Sequence, residues 1–208
     1  MSDKPVLYFA PMTRAETCLW MDEELGGVCD VKSYHLHTGG HKVDEVLAVN
    51  PLGKLPAMTV GDQVVTEAAA ICAFLADRHA DKGLAPQLDD PLRGPYFRWI
   101  MMSGAGLEPA MLDKFAGIVR ENPASTGHGS FDDVLGLVET AIVADGPYLL
   151  GDKFTTADVV MGSTIRFATM FGAIEEKEPF TAYLNRIKAR PAFQRAQARS
   201  EKIIQSFN

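Results

Sequence analysis

The chain has 208 residues, 47% of them hydrophobic and 23% charged, the composition of a soluble globular protein with one large core or two small ones. Its net charge of −7 argues against nucleic acid as a main partner, because binding phosphates needs a basic surface. There is no signal-peptide pattern in Met1-Ser2-Asp3-Lys4 and no early apolar stretch of membrane-span length. Cys18, Cys29 and Cys72 show neither Cys-x-x-Cys nor metal-ligand spacing, so buried free thiols, a reducing cytoplasmic compartment and no membrane partner are expected.

Val6-Leu7-Tyr8-Phe9 is a short β-prone run ended by Pro11, and the helical pattern that follows through Leu19, Trp20 and Leu25 stops at Gly26-Gly27. Residues 28–36 alternate loosely as a second strand, and Val43, Val46, Leu47 and Val49 sit at helical spacing before Asn50-Pro51. Ala57–Val60 and Gln63–Thr66 flank a Gly61-Asp62 turn, and a helix is predicted from Glu67 to about His79. This strand–helix–strand–helix–strand–strand–helix order is a thioredoxin-like α/β layout, with parallel first strands and a final hairpin. Residues 83–95, rich in Gly, Pro and Asp, read as a linker. Nothing beyond them reads as a strand. A long stretch from Tyr96 to Val119, interrupted by Gly104, Gly106 and Pro109, leads to a polar loop at 122–129. Helices are then expected over 131–143, 155–171, 180–189 and 193–204. The predicted organisation is an α/β domain over 1–82 and an all-α domain over 91–208.

Two motifs read as helix starts. Thr155-Thr156-Ala157-Asp158 before an apolar run is a capping box, with Asp158 in the place of the commoner Glu. It reads as structural, and replacing Asp158 is expected to cost about 0.5–2 kcal/mol without touching chemistry. Thr13-Arg14-Ala15-Glu16 is a second such box.

The most informative segment is Asn50-Pro51-Leu52-Gly53-Lys54-Leu55-Pro56 followed by Thr66-Glu67-Ala68. Pro56 has no N–H, so the ladder cannot continue beside it, and Leu55 can offer its backbone to an extended ligand. A helix opening after Glu67 aims backbone N–H groups at an anion, while the Glu67 carboxylate can take an ammonium. A short peptide carrying both charges fits such a place.

With Asn-Pro-x-Gly-Lys-x-Pro and the later Glu-Ala pair, the chain resembles the glutathione S-transferase family over nearly its whole length. The resemblance implies a thioredoxin-like domain followed by a helical one, a cis Leu55–Pro56 bond, glutathione as co-substrate and a homodimer. The family's serine is Ala68 here. Its N–H can still serve the γ-glutamyl carboxylate, but the hydroxyl bond is lost, at roughly 1.5–3 kcal/mol. The activity implied is conjugation of glutathione to a small hydrophobic electrophile, or reduction of a peroxide. The alternative is a non-enzymatic relative that uses the fold as an interaction scaffold.

The thiol would be ionised where the first helix begins. There Thr13 takes the family's serine position, and Thr17 stands where an arginine is usual. A hydroxyl can accept a capping bond and still donate to a thiolate. Arg14 is the rival, as a fixed cation, and Tyr8 is a third candidate, although a strand tyrosine beside the sheet edge is more often core. Glu16 adds negative charge to the same turn. His41 or Lys54 would meet the glycine carboxylate, unless both are surface charges. Met12, Trp99, Met102 and Met111, with Tyr96, Met101 and Phe115, would wall the second substrate, although residues at helical spacing also build cores.

Overall fold

The computed structural model of the chain describes residues 4–36, 39, 42–144 and 146–207. It divides into two compact units: Met1–Lys82 with Ala189–Asn208, and Gly83–Lys188.

In the first unit Leu7, Tyr8 and Phe9 are all buried, as a central strand requires when both faces of the sheet are covered. They belong to β1 (Val6–Phe9), which pairs in parallel with β2 (Asp30–Ser33) and antiparallel with β3 (Ala57–Val60). β3 continues through a hairpin into β4 (Gln63–Thr66), giving the order β2-β1-β3-β4 among the described residues. The parallel first pair and terminal hairpin are those of the thioredoxin-like layout. β2 is shorter than the alternation over 28–36 suggested. α1 (Ala15–Leu25) follows β1, α2 (Asp44–Val49) precedes the Asn50 loop, and α3 (Ala68–Arg78) follows β4. Cys18, Cys29 and Cys72 are buried and free.

The last helix, α9 (Pro191–Ser206), belongs to this first unit rather than to the helical domain in which the sequence had placed it. The reason lies in charge. α1 ends on Asp22-Glu23-Glu24, with no basic residue in its last turn, which opposes the helix dipole. Three arginines of the α9 segment answer it. Arg190 binds Glu24 through Nε and Nη2 at 2.7 and 2.8 Å, and Arg195 reaches Glu23 at 3.0 Å. Arg199 reaches both Asp22 and Glu23, at 2.9 and 3.1 Å. Asp22 is fully buried, and its other oxygen accepts the Cys29 N–H at 2.7 Å. Phe193 packs edge-on against Trp20.

The second unit is helical: α4 (Arg93–Met102), α5 (Glu108–Phe115), α6 (Phe131–Val143), α7 (Thr156–Met170) and α8 (Phe180–Lys188). α4 starts inside the stretch read as a linker. Pro95 falls in its first turn, where an N–H would have no intrahelical partner anyway. One wide π-type turn, Ser103–Leu107, joins α4 to α5. A Cβ on Gly106 would lie 2.1 Å from Met102 Sδ, so the thioether occupies the space that only glycine leaves.

The Thr155–Asp158 capping box is present, and Asp158 does more than cap. Fully buried, it accepts from Leu149 N at 2.9 Å, Thr155 N at 3.0 Å and Tyr183 Oη at 3.0 Å. Burial pushes its carboxyl pKa up, against these donors, which favour the charged form. The 0.5–2 kcal/mol read from the motif alone covers a cap and leaves out the tie to α8.

Candidate active site at one end of the sheet

Strand direction gathers the expected residues. β1 and β4 run the same way, because each is antiparallel to β3. The helices that follow them, α1 and α3, therefore begin at the same end of the sheet, where β3 also starts. Side-chain contacts fix the two helix openings side by side. Cys18 Sγ lies 3.7 Å from Ala68 O, and Cys72 Sγ is 3.9 Å from Thr17 O and 4.0 Å from Cys18 Sγ. Met12, Thr13, Arg14, Leu55, Pro56, Glu67 and Ala68 thus share one end of one sheet, with the N-termini of two helices.

The loop before β3 is built by Asn50. Its buried side chain accepts Leu52 N at 3.2 Å and donates to Lys54 O at 2.8 Å. Gly53, at φ 60, makes the turn between them. The Leu55–Pro56 peptide is cis, as the resemblance implies. The β1–β3 pairing ends at Tyr8–Ala57, so the Leu55 backbone lies beyond the last pair. Lys54 is exposed beside it, and Leu55 packs its side chain toward Tyr8, Val46 and Ala57.

α3 opens without a side-chain cap, which leaves the N–H groups of its first turn for a ligand. Glu67, just before it, is exposed and held at φ 69, ψ 123. For a residue other than glycine that backbone is strained by about 1–3 kcal/mol, a strain that collects at ligand-binding turns.

The start of α1 differs in detail from the expected capping box. Thr13 Oγ1 accepts from Ala15 N at 3.1 Å and donates its hydrogen to Ala10 O at 2.7 Å. Glu16 Oε1 reaches back to Met12 N, at 3.1 Å, one residue before the Thr13 amide a box would use. The turn is shifted because Met12 adopts φ 60, which carries its N–H round to the carboxyl. Any donation from Thr13 to a sulfur requires its hydrogen to leave Ala10 O. Arg14 is exposed on the first turn. Tyr8 is buried in the cluster with Val46 and Ala57, its ring stacked 6.1 Å from Tyr34. Core packing therefore accounts for it.

His41 lies outside the described residues. Of the expected apolar wall, Met12 is the most open, 67% exposed. Trp99 and Met111, like Tyr96, are buried and serve as core, because the apolar spacing that marked them is the one by which helices pack. Met102 is half-buried and lines a groove of about 460 Å³ within the helical unit, with Met101, Ala105, Val134 and Leu137. The sequence reading passed over Asn50 as a brace, and over Glu16 and Ser200 as partners. Ser200 Oγ donates to Glu16 Oε1 at 2.6 Å. The one signal in the sequence was indirect: the acidic end of α1 calls for cationic partners, which lie on the segment that also carries Ser200.

Residues 4–77, which carry this whole sheet end, match the family model for the glutathione S-transferase N-terminal domain. Over 153 residues the chain is 31% identical to a probable maleylacetoacetate isomerase of Caenorhabditis elegans, covering 70% of each. A glutathione transferase of Methylococcus capsulatus has the same fold at TM-score 0.77 and 29% identity, over 95% of this chain and 98% of that one. A theta class glutathione S-transferase of Xanthomonas axonopodis pv. citri, solved with glutathione bound, matches at TM-score 0.73 and 26% identity. That match spans 93% of this chain and 97% of the other. Two helix openings beside a cis-proline loop, in a chain with these relatives, lead to one conclusion: the chain belongs to the glutathione S-transferase family.

Proposed function

We propose that the protein joins the sulfur of glutathione to a small hydrophobic electrophile, or reduces a peroxide with it, at the sheet end where α1 and α3 begin. The observation that carries this reading is the convergence of two helix N-termini beside the backbone of Leu55. Glutathione is the co-substrate, and each of its parts has a fitting partner. The α3 opening at Ala68 suits the γ-glutamyl carboxylate and Glu67 its ammonium. Leu55 suits the peptide body and Lys54 the glycine carboxylate.

The chain's own task is to hold the sulfur ionised. A free thiol, with pKa about 8.5, is only a few per cent thiolate at neutral pH. The positive end of the α1 dipole, together with Thr13 or Arg14, stabilises the negative charge and lowers that pKa. Met12, exposed beside them, suits an apolar second substrate. The family points to a homodimer, which sedimentation would test. Three buried free thiols suit a reducing cytoplasm.

The test is turnover of chlorodinitrobenzene, in which the sulfur displaces chloride, by the parent and by Thr13→Ala and Arg14→Ala. Loss in either variant supports the site. Two variants that match the parent would remove it. Retention on immobilised glutathione without turnover of any electrophile or peroxide would make the protein a binding scaffold instead.

A further inference from the structure

The turn that faces the proposed thiolate is tied to α9, an element distant in sequence. Met12 sits at φ 60 with its side chain in solvent, so its own packing does not impose that backbone. Two bonds tie the turn: Thr13 Oγ1 donates to Ala10 O at 2.7 Å, and the Met12 N–H donates to Glu16 Oε1 at 3.1 Å. The same oxygen accepts the Ser200 hydroxyl of α9 at 2.6 Å. Glu16 is 7% exposed and Ser200 4%, and Glu16 Oε2 is buried without a hydrogen-bond partner among the described residues. Burying the group with one oxygen unmatched is unfavourable, so the surrounding fold must impose it. The imposing element is α9, fixed along α1 by Arg190, Arg195 and Arg199.

We propose that Glu16 and Ser200 are positioning residues: α9, through Ser200 and the Glu16 carboxyl, sets the Pro11–Thr13 turn and with it the groups that stabilise the thiolate. The inference rests on the glutathione reading for its catalytic consequence and on the Met12 bond for its structural one. The two can be separated. Thr13 follows Met12 directly and closes the same turn through Ala10 O, so releasing Met12 displaces its hydroxyl. Lys54, Leu55, Glu67 and Ala68 belong to other segments and keep their places.

Three variants test this: Glu16→Ala removes the brace, Ser200→Ala removes only its far end, and Glu16→Gln keeps an oxygen that can accept from Met12. Two quantities are read. The first is hydrogen exchange at the Met12 amide, with Met58 in the core as the reference. The second is kcat with chlorodinitrobenzene per glutathione site, counted by calorimetric titration, beside KM for glutathione. The expected result is at least tenfold faster Met12 exchange and at least tenfold lower kcat in Glu16→Ala. Ser200→Ala should show a smaller effect of the same kind and Glu16→Gln should restore most of both, with KM within about threefold throughout. Met12 exchange equal to the parent in Glu16→Ala and Ser200→Ala overturns the brace, whatever the activity. Released exchange with unchanged kcat per site overturns its catalytic role. A parent that binds no glutathione would sink the glutathione reading and the catalytic half together, and the exchange result would still decide the structural half.

Discussion

Replacing Thr13 by valine keeps the branched shape of the side chain and removes its hydroxyl. Two bonds go with it, the 2.7 Å donation to Ala10 O and the 3.1 Å acceptance from Ala15 N. For a half-buried cap this costs about 1–2 kcal/mol of stability, or roughly 3–6 °C in Tm for a chain of this size. The catalytic effect is a difference of two terms. A hydroxyl bond to a thiolate contributes about 1.5–3 kcal/mol, but making it requires giving up the Ala10 carbonyl, at about 1 kcal/mol. The net of about 0.5–2 kcal/mol corresponds to a loss of roughly 2- to 30-fold in kcat/KM near neutral pH. The rate profile should also move to higher pH in the variant, because a less stabilised thiolate has a higher pKa. Thr13→Ser should recover both quantities. The assay is chlorodinitrobenzene conjugation between pH 6 and 9, with a thermal melt of each protein. If the valine variant loses stability but keeps the parent's rate and pH profile, the hydroxyl never leaves Ala10, and the thiolate rests on the dipole of α1 and on Arg14.

Other substitutions separate structure from chemistry. Asp158→Ala strands Leu149 N, Thr155 N and Tyr183 Oη inside the helical unit and should cost about 3–5 kcal/mol, with activity per folded molecule unchanged. Denaturant unfolding measures it, and a loss below about 1 kcal/mol would contradict the tie to α8. Arg199→Ala leaves the buried Asp22 carboxylate, among the described residues, with the Cys29 amide alone, for an expected loss of about 1.5–3 kcal/mol that high salt should reproduce only in part. Ala68→Ser restores a hydroxyl at the α3 opening and should lower KM for glutathione by roughly tenfold or more, read from initial rates. No change in KM would place the γ-glutamyl carboxylate elsewhere.

What could be read in advance divides along a physical line. Local signals held: the runs that became β1, β3 and β4, the Gly61-Asp62 hairpin, the Asn50–Pro56 loop, whose cis bond only the family resemblance implied, and the cap at Thr155. Each depends on a few adjacent residues whose backbone preferences point one way. Features that depend on partners distant in sequence did not show. Asp158 reads as a cap until Tyr183 is folded against it. Glu16 reads as unwelcome charge until Ser200 and Met12 are in reach. α9 follows the helical domain in sequence, and only the acidic end of α1 hints at where it docks. Trp99 and Met111 were marked by a spacing that cores and ligand walls share, and burial assigned them to the core. Pro95 reads as the end of the linker because a first-turn proline and a linker proline look alike in sequence.

Everything proposed for the site depends on a sulfur that loses its proton where α1 opens. The most direct measurement is the ultraviolet thiolate absorbance of glutathione titrated into the protein at pH 7, with S-methylglutathione as the control that cannot ionise. The expected result is a saturable thiolate band well above the few per cent of free glutathione, absent with the control and reduced in Thr13→Val. Saturable binding by calorimetry with no thiolate band, or no binding of glutathione at millimolar concentration, would contradict it.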